Sequence, residues 1–270
     1  MLPHQIQTKP PIPWLGGKRR LLKHIKPLVP EHQLYVELFF GGGALFFDKT
    51  NPKPVPAVLN DIDSELVNLY RVICHHKDEF VRQFDHMLYS REMYNQLKVE
   101  AVSGGLTDIQ RAANFYARVH QSFAARADSG QSFGLSRKTI RAPRLFNFAQ
   151  FEQISAKLKT AIIENGSWQD VAYRYDWGGA FFFADPPYWQ AQGYKSHFDF
   201  EQYQNLAEFM SNCKGKVMLT INKHPEIEAL FGCFESKEVA IKYSIKKEAN
   251  QRHESTEIIY CNYPLPKDRP

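Results

Sequence analysis

The tetrapeptide Asp185-Pro186-Pro187-Tyr188 combines a carboxylate, two prolines and an aromatic ring. It follows the apolar run 180–184, and the carboxyl end of a strand is where an open α/β sheet binds its ligands. Two consecutive prolines fix φ and donate no hydrogen bond, so the preceding carbonyls are left to accept from a ligand. An aromatic residue just beyond such a turn can stack on a planar base. The alternative is that the prolines only end a strand and that Tyr188 packs in the core.

A glycine cluster, Phe39-Phe40-Gly41-Gly42-Gly43, follows one predicted strand and precedes a predicted helix. Small residues there let a ligand approach the backbone. Asp61 lies about 20 residues further on, at the end of a second strand, where an acid can bind both hydroxyls of a ribose. Together they indicate a nucleoside site. Taken alone, the glycines also suit a plain tight turn, and Asp61 or Asp63 also suits the cap of the next helix.

Alternating strands and helices must position these residues, and they predict an α/β fold with a mainly parallel sheet. The predicted strands cover 34–39, 57–60, 160–163, 179–184 and 216–221, and two segments around 237–245 and 257–263 suit an antiparallel edge. The predicted helices nearest the site cover 19–29, 44–47, 66–73 and 201–213.

Residues 78–158 lack the strand pattern and contain helical segments, one of which begins with a capping box at Thr107 and Gln110. We therefore predict a catalytic domain formed by 1–77 and 159–270, with a mainly helical insertion at 78–158. Within 111–144, basic residues greatly outnumber the single acid, Asp128. This local basic surface indicates a polyanionic partner more strongly than the net charge of +5 does.

The composition, with 43% hydrophobic and 23% charged residues over 270 positions, is that of a globular protein. The four cysteines are scattered, so neither a disulfide framework nor a zinc site is expected. No apolar run approaches the length of a membrane span, and the first residues lack a signal-peptide core. A cytoplasmic monomer with no metal and no membrane partner is expected.

Four motifs occur in the order that is typical of Dam-type adenine DNA methyltransferases, the alpha group of the D12 class. They are Trp14-Leu15-Gly16-Gly17-Lys18, Phe39–Gly43, Asn60–Asp63 and Asp185–Tyr188. The chain resembles this family, which has phage-associated and restriction-modification members, from about residue 12 to residue 263. The resemblance implies a Rossmann-like methyltransferase sheet, S-adenosylmethionine as methyl donor and double-stranded DNA as substrate. The implied reaction methylates N6 of an adenine that is flipped out of the duplex.

The resemblance also implies the roles of individual residues. Asp185, Pro186, Pro187 and Tyr188 would form the catalytic turn, in which the Asp185 carboxylate and the Pro186 carbonyl accept hydrogen bonds from the adenine amino group and Tyr188 stacks on the ring. The methyl group would move by direct in-line displacement, without a covalent enzyme intermediate. The implied cofactor-binding residues are Trp14, Lys18, Phe39, Gly41, Gly43, Asp61, Trp168 and Asp185. Trp168 suits a surface or core position as well. The loop that would close over the base contains Tyr194, Ser196, His197 and Phe198.

The specificity elements differ from those of the Dam enzymes that recognise GATC. Those enzymes carry Asn-Gly-Leu-x-Arg-x-Asn where this chain has Phe123-Ala-Ala-Arg-Ala-Asp128, and Pro13 replaces a basic residue before Trp14. We predict a different short target or relaxed specificity. The expected DNA-binding residues are Arg126, Arg137, Lys138 and Arg141, with Arg126 expected to contact a base or a phosphate.

Other functions remain open from the sequence. An inactive DNA-binding protein of the same fold is one, although the intact Asp185 and Tyr188 argue against it. Methylation of RNA or of a protein glutamine is another, since Pro-Pro-Tyr turns serve those substrates too; the order of the motifs favours adenine in DNA. The glycine spacing disfavours a nicotinamide-dependent oxidoreductase, and the absence of a Pro-Cys nucleophile disfavours cytosine C5 methylation.

Overall fold

The computed structural model describes residues 6–14, 18–48, 54–122, 133–134, 146–190, 198–242 and 254–266. The strands in these ranges are β1 (Leu34–Glu37), β2 (Ala57–Asn60), β3 (Ala161–Glu164), β4 (Ala180–Ala184), β5 (Lys216–Asn222), β6 (Glu235–Lys242) and β7 (Glu254–Cys261). They form one sheet in the order β3-β2-β1-β4-β5-β7-β6.

The sheet has the predicted mixed character. β1 pairs in parallel with β2 and β4, β2 pairs in parallel with β3, and β4 with β5. β7 runs antiparallel to both β5 and β6. The prediction of an α/β fold with an antiparallel edge is confirmed, and the strand order reverses between β1 and β4, where such sheets bind their ligands.

The helices of the described ranges precede or follow these strands. They are α1 (Leu22–Ile25), α2 (Ala44–Asp48), α3 (Ser64–His75), α4 (Lys77–Arg82), α5 (Arg91–Ser103), α6 (Asp108–Gln121), α7 (Phe151–Leu158), α8 (Trp168–Arg174), α9 (Phe200–Asn212) and α10 (Pro225–Phe231). In these ranges no helix combines the length and the apolar character that crossing a membrane requires.

The hydrophobic core lies on both faces of the sheet, and β4 contributes side chains to each face. Phe181 and Phe183 pack with residues of α2, α3, α6 and α7, whereas Phe182 packs with residues of α8, α9 and α10. Because successive side chains of a strand point to opposite faces, a strand between two helical layers has to be apolar at every position. The buried run Ala180–Ala184 has this character.

Helices α4, α6 and α7 pack on the sheet's own helix α3, and α5 packs on α6. Phe80 of α4, Tyr116 of α6 and Phe151 of α7 belong to the same buried cluster as Leu66 and Tyr70 of α3. α6 begins with the predicted capping box, in which the Thr107 side chain accepts from the Gln110 amide. The assignment of 78–158 as a recognition domain stays a prediction.

The predicted helix over 19–29 is wrong in its extent. The chain forms a 3-10 turn at Lys18–Arg20, the short helix α1, and a second 3-10 turn at Lys26–Leu28. Pro27 explains the interruption, since proline has no amide to donate and its ring obstructs the preceding helical turn. The apolar residues Leu21, Leu22, Ile25 and Leu28 are nevertheless buried, as predicted from their spacing.

Candidate active site

A cavity of about 1090 Å³ lies at the carboxyl ends of β1, β2 and β4. Its volume is at the upper end of the range of about 300 to 1,000 Å³ that is usual for small-molecule sites. Seven of the predicted site residues line it: Trp14, Lys18, Phe39, Gly41, Gly43, Asp61 and Trp168. Asp185 and Pro187 of the Asp-Pro-Pro-Tyr turn line it too. The motifs that are far apart in the sequence therefore meet in one place.

The glycine loop follows β1 and has a backbone that favours glycine. Gly41 and Gly43 have φ angles of 48° and 65°, which side-chain-bearing residues rarely adopt. A Cβ atom on Gly41 would lie 2.7 Å from the indole nitrogen of Trp14. The loop therefore needs glycine both for its conformation and for its close approach to Trp14.

Asp61 directly follows β2, and its side chain contacts the glycine loop. Its Oδ2 accepts from the Gly41 amide at 2.8 Å and its Oδ1 from the Asp63 amide at 2.9 Å. Burial raises the pKa of Asp61 to about 6, against the lowering effect of these amide donors. Each carboxylate oxygen can accept more than one hydrogen bond, so a ligand hydroxyl can still bind there.

Asp63 has the capping role that its position suggested. Its side chain accepts from the Glu65 amide and caps α3. The predicted role of Asp63 as the cap is confirmed, whereas the role of Asp61 in binding a ligand stays a prediction.

Trp168 is the first residue of α8, and the Ser167 side chain caps that helix. Its indole nitrogen donates to Gln202 Oε1 at 2.9 Å, and its ring centroid lies 6.3 Å from that of Phe39. Trp168 is only 5% exposed. The ring is thus a fixed wall of the cavity, and Gln202 of α9 is the residue that fixes it.

Asp185 follows β4 and is held by two donors. The Lys18 ammonium lies 2.7 Å from Asp185 Oδ1, and the Thr220 hydroxyl donates to the same oxygen at 2.9 Å. Burial raises the pKa of Asp185 to about 6, whereas Lys18 and the Thr220 hydroxyl oppose the rise. Within the described residues, Oδ2 of Asp185 has no hydrogen-bond partner. The side chain is 20% exposed, and Asp185 lines the cavity.

The two proline carbonyls of the turn differ in their contacts. The Pro187 carbonyl accepts from the Tyr203 hydroxyl of α9. Pro186 is buried, and its carbonyl has no partner among the residues that the structure describes. The Pro186 carbonyl therefore keeps its capacity to accept a hydrogen bond, although neither Pro186 nor Tyr188 is among the residues that line the cavity.

Tyr188 is held both at its hydroxyl and against its ring. The hydroxyl donates to Glu257 of β7, and the Lys18 ammonium lies 4.2 Å from the ring centroid. Lys18 itself is only 3% exposed. It was predicted as a cofactor-binding residue, and the structure brings it into contact with two members of the predicted catalytic turn.

Several residues of the site were not predicted from the sequence. Glu37, Thr220 and Glu257 are buried, and Gln202 lines the cavity. Glu37 accepts from the Phe46 amide at 3.0 Å and from the Tyr35 hydroxyl, which ties β1 to α2. Glu37 ends an otherwise apolar strand, which is a signal that the sequence does contain, whereas Glu257 lies in a strand whose first half is polar and carries no such signal. Thr220 and Gln202 carry no such signal.

The predicted DNA-binding residues Arg126, Arg137, Lys138 and Arg141 lie outside the described residues, as do Tyr194, Ser196 and His197. Phe198 is described, and its ring centroid lies 5.6 Å from that of Phe39. Among the described side chains, no group of three or more His, Cys, Asp or Glu is arranged to hold a metal ion.

Known proteins resemble this chain over most of its length. The type II methyltransferase M1.LlaDCHI of Lactococcus lactis subsp. cremoris is 29% identical, over 96% of this chain and 97% of its own. The type II methyltransferase M.CviBI of Paramecium bursaria Chlorella virus NC1A is 28% identical, over 94% and 100%. The DNA adenine methylase of Escherichia coli K12 is 26% identical, over 72% and 73%.

The family model of the D12 class N6 adenine-specific DNA methyltransferases matches residues 14–245. The match begins at Trp14 and includes the glycine loop, Asp61 and the Asp-Pro-Pro-Tyr turn, of which Trp14, the glycine loop, Asp61, Asp185 and Pro187 line the cavity. The chain therefore belongs to the D12 class of N6 adenine-specific DNA methyltransferases.

Proposed function

We propose that the protein transfers a methyl group from S-adenosylmethionine to N6 of an adenine that is flipped out of double-stranded DNA. The observation that carries the proposal is the difference between the hydrogen bonds of the two carboxylate oxygens of Asp185. Its Oδ1 is tied to Lys18 and Thr220, whereas Oδ2 has no partner among the described residues and the side chain lines the cavity. An acceptor in this position suits an incoming amino group.

An adenine amino group has two hydrogens and therefore needs two acceptors. In the proposal Asp185 Oδ2 and the Pro186 carbonyl supply them, which is the pair of acceptors that the resemblance to the family implies. Accepting both hydrogens draws the nitrogen lone pair out of conjugation with the ring and directs it to the methyl donor. Positioning and electrostatics then supply most of the catalysis, since direct displacement needs no enzyme nucleophile.

The cofactor would occupy the part of the cavity formed by the glycine loop, Asp61 and Trp168. Asp61 would bind the ribose hydroxyls, Trp168 and Phe39 would flank the adenine, and Trp14 would border the cofactor with Lys18. When bound, S-adenosylmethionine supplies an electrophilic methyl group on a sulfonium. The cavity of about 1090 Å³ has room for a nucleoside cofactor together with a flipped base.

The substitution Asp61→Ala is expected to weaken S-adenosylmethionine binding by about 10- to 100-fold, because hydrogen bonds to a charged group are lost. Isothermal titration calorimetry measures this directly. The matched control is Asp108→Asn, which changes an acid of α6 that does not line the cavity. Unchanged affinity in the Asp61 variant would remove Asp61 from the proposed ribose site.

Transfer itself is tested with purified protein, S-adenosylmethionine labelled in its methyl group, and unmethylated duplex DNA. The proposal expects N6-methyladenine as the labelled nucleoside after digestion and mass spectrometry. Label in RNA or in a protein glutamine, with none in DNA, would favour the other amino-group substrates. Binding of duplex DNA without any transfer would favour an inactive DNA-binding protein.

We propose a target other than strict GATC. Methylation mapping of a plasmid from a methylation-deficient host that expresses the protein is expected to show N6-methyladenine at a different short site or at many sites. The expectation rests on Phe123–Asp128 and Pro13, which depart from the elements that read GATC. A map confined to GATC would contradict it.

A further inference from the structure

Three neighbouring strands place polar residues on one face of the sheet beside the catalytic turn. Phe183 of β4, Met218 of β5 and Ile259 of β7 belong to the same core cluster. Side chains two positions along a strand share a face, so Asp185 (two residues beyond Phe183), Thr220 and Glu257 all face this side. The register of β5 and β7 agrees with this placement. Thr220 lies opposite Ile259 and Asn222 lies opposite Glu257, so these side chains share one face of the sheet.

Glu257 is a buried carboxylate that contacts the catalytic turn. It is fully buried on β7 and accepts a hydrogen bond from the Tyr188 hydroxyl. Burying a carboxylate is costly unless it is hydrogen-bonded and near a compensating charge. A neutral amide could accept the same hydrogen bond at a lower cost. The buried negative charge of Glu257 therefore needs compensation from neighbouring groups.

Lys18 is a cation that contacts the same turn. Its ammonium contacts Asp185 Oδ1 and lies over the ring of Tyr188, whose hydroxyl meets Glu257. Among the described residues, the titratable groups that contact the turn include Lys18 beside the ring and Glu257 on β7, and the turn itself contributes Asp185 and the Tyr188 hydroxyl. Tyr203 of α9 contacts it from the other side. The negative charge of Glu257 also raises the pKa of Asp185.

We propose that Glu257 is a positioning residue, which holds the Tyr188 ring in the orientation that stacks on the target base and sets the charge balance at Asp185. The proposal rests on the proposed function, because it gives Tyr188 the stacking role. Stacking of a base on an aromatic side chain depends on the ring orientation, and a hydroxyl anchored to a buried strand fixes that orientation. Tyr203 anchors the adjacent Pro187 carbonyl from the other helical layer.

The test uses the full-length protein and a duplex with 2-aminopurine at a mapped target adenine, whose fluorescence rises when the base leaves the stack. Glu257→Leu and Tyr188→Phe each remove the hydrogen bond, and each is expected to weaken base capture about tenfold. The double variant is expected to capture the base no worse than Glu257→Leu alone, because both changes remove the same hydrogen bond. S-adenosylmethionine affinity is expected to stay within twofold.

Glu257→Gln separates the charge from the hydrogen bond. The amide still accepts from Tyr188, so base capture is expected to fall by less than in Glu257→Leu. Because the negative charge is gone, the pKa of Asp185 falls, and the acid limb of the profile of kcat/KM against pH moves to lower pH. The matched control, Glu238→Gln, changes an exposed acid of β6 and is expected to behave like the wild type.

The outcomes distinguish this inference from the proposed function. Wild-type transfer with unaltered base capture and an unaltered pH profile in Glu257→Gln and Tyr188→Phe would overturn the role of Glu257 alone. Additive losses in the double variant would also overturn it. Absence of methyl transfer to DNA by the folded wild-type protein would overturn the proposed function, and this inference with it.

Discussion

The substitution Asp185→Ala is expected to lower kcat for methyl transfer by about 100- to 1,000-fold, the range seen when one preorganised polar group is removed from an active site. The amino group of the base would lose the acceptor Oδ2, which activates its nitrogen. S-adenosylmethionine binding is expected to change little, because the glycine loop, Asp61 and Trp168 are untouched. Single-turnover transfer of labelled methyl and calorimetric binding of the cofactor measure the two quantities separately.

Two further variants show whether the loss reflects chemistry or damage to the fold. Alanine at 185 leaves the Lys18 ammonium buried without its nearest carboxylate, which destabilises the protein. Asp185→Asn keeps the shape of the side chain and one acceptor oxygen, so it is expected to lose less activity. Thr220→Val removes only a donor to Oδ1 and is expected to have the smallest effect. Near-normal turnover in Asp185→Ala would show that this carboxylate is not the catalytic acceptor.

Much of the fold could be predicted because each element depends on local sequence. The run Ala180–Ala184 is apolar at every position and is buried on both faces. Thr107 and Gln110 specify the start of α6 through contacts three residues apart. Pro27 interrupts the predicted helix 19–29 because one missing amide outweighs a good apolar spacing.

The motifs predicted residues that line the cavity. The contacts between those residues depend on long-range pairings that no local pattern specifies. Lys18 and Asp185 are 167 positions apart, and their contact follows from the way the N-terminal turn lies against the end of β4. Glu257 reaches Tyr188 because β7 inserts between β5 and β6 instead of at the edge of the sheet. The polar residues Glu254–Glu257 give no sign that one of them is buried, and only the strand order shows that Glu257 meets Tyr188.

The same contacts give Lys18 a role that its motif does not indicate. The motif suggested a cofactor contact, and the residue does line the cavity. Its ammonium, however, is the nearest cation to Asp185 and opposes the rise that burial causes in the pKa of that carboxyl group. Lys18 therefore favours the ionised form of Asp185, which is the form that would accept hydrogen bonds from the base in the proposed function.

A pH profile tests this role. In the wild type, kcat/KM is expected to fall about tenfold per pH unit below pH 6, because the pKa of Asp185 is about 6. Only the ionised carboxylate can pair with Lys18 and also accept a hydrogen bond from the base. Lys18→Met removes the strongest effects that lower this pKa, so the acid limb is expected to move to higher pH. Activity at pH 7 then falls and partly recovers as the pH is raised.

Lys18→Arg is the matched control, since arginine stays charged and can still pair with a carboxylate. Its acid limb is expected to remain near that of the wild type, even if its larger head group lowers the rate at every pH. Damage to packing alone would lower kcat/KM in Lys18→Met equally across the pH range. An unshifted acid limb in Lys18→Met would therefore show that the ammonium does not control the ionisation of Asp185, and it would leave Lys18 only its contact with the cavity.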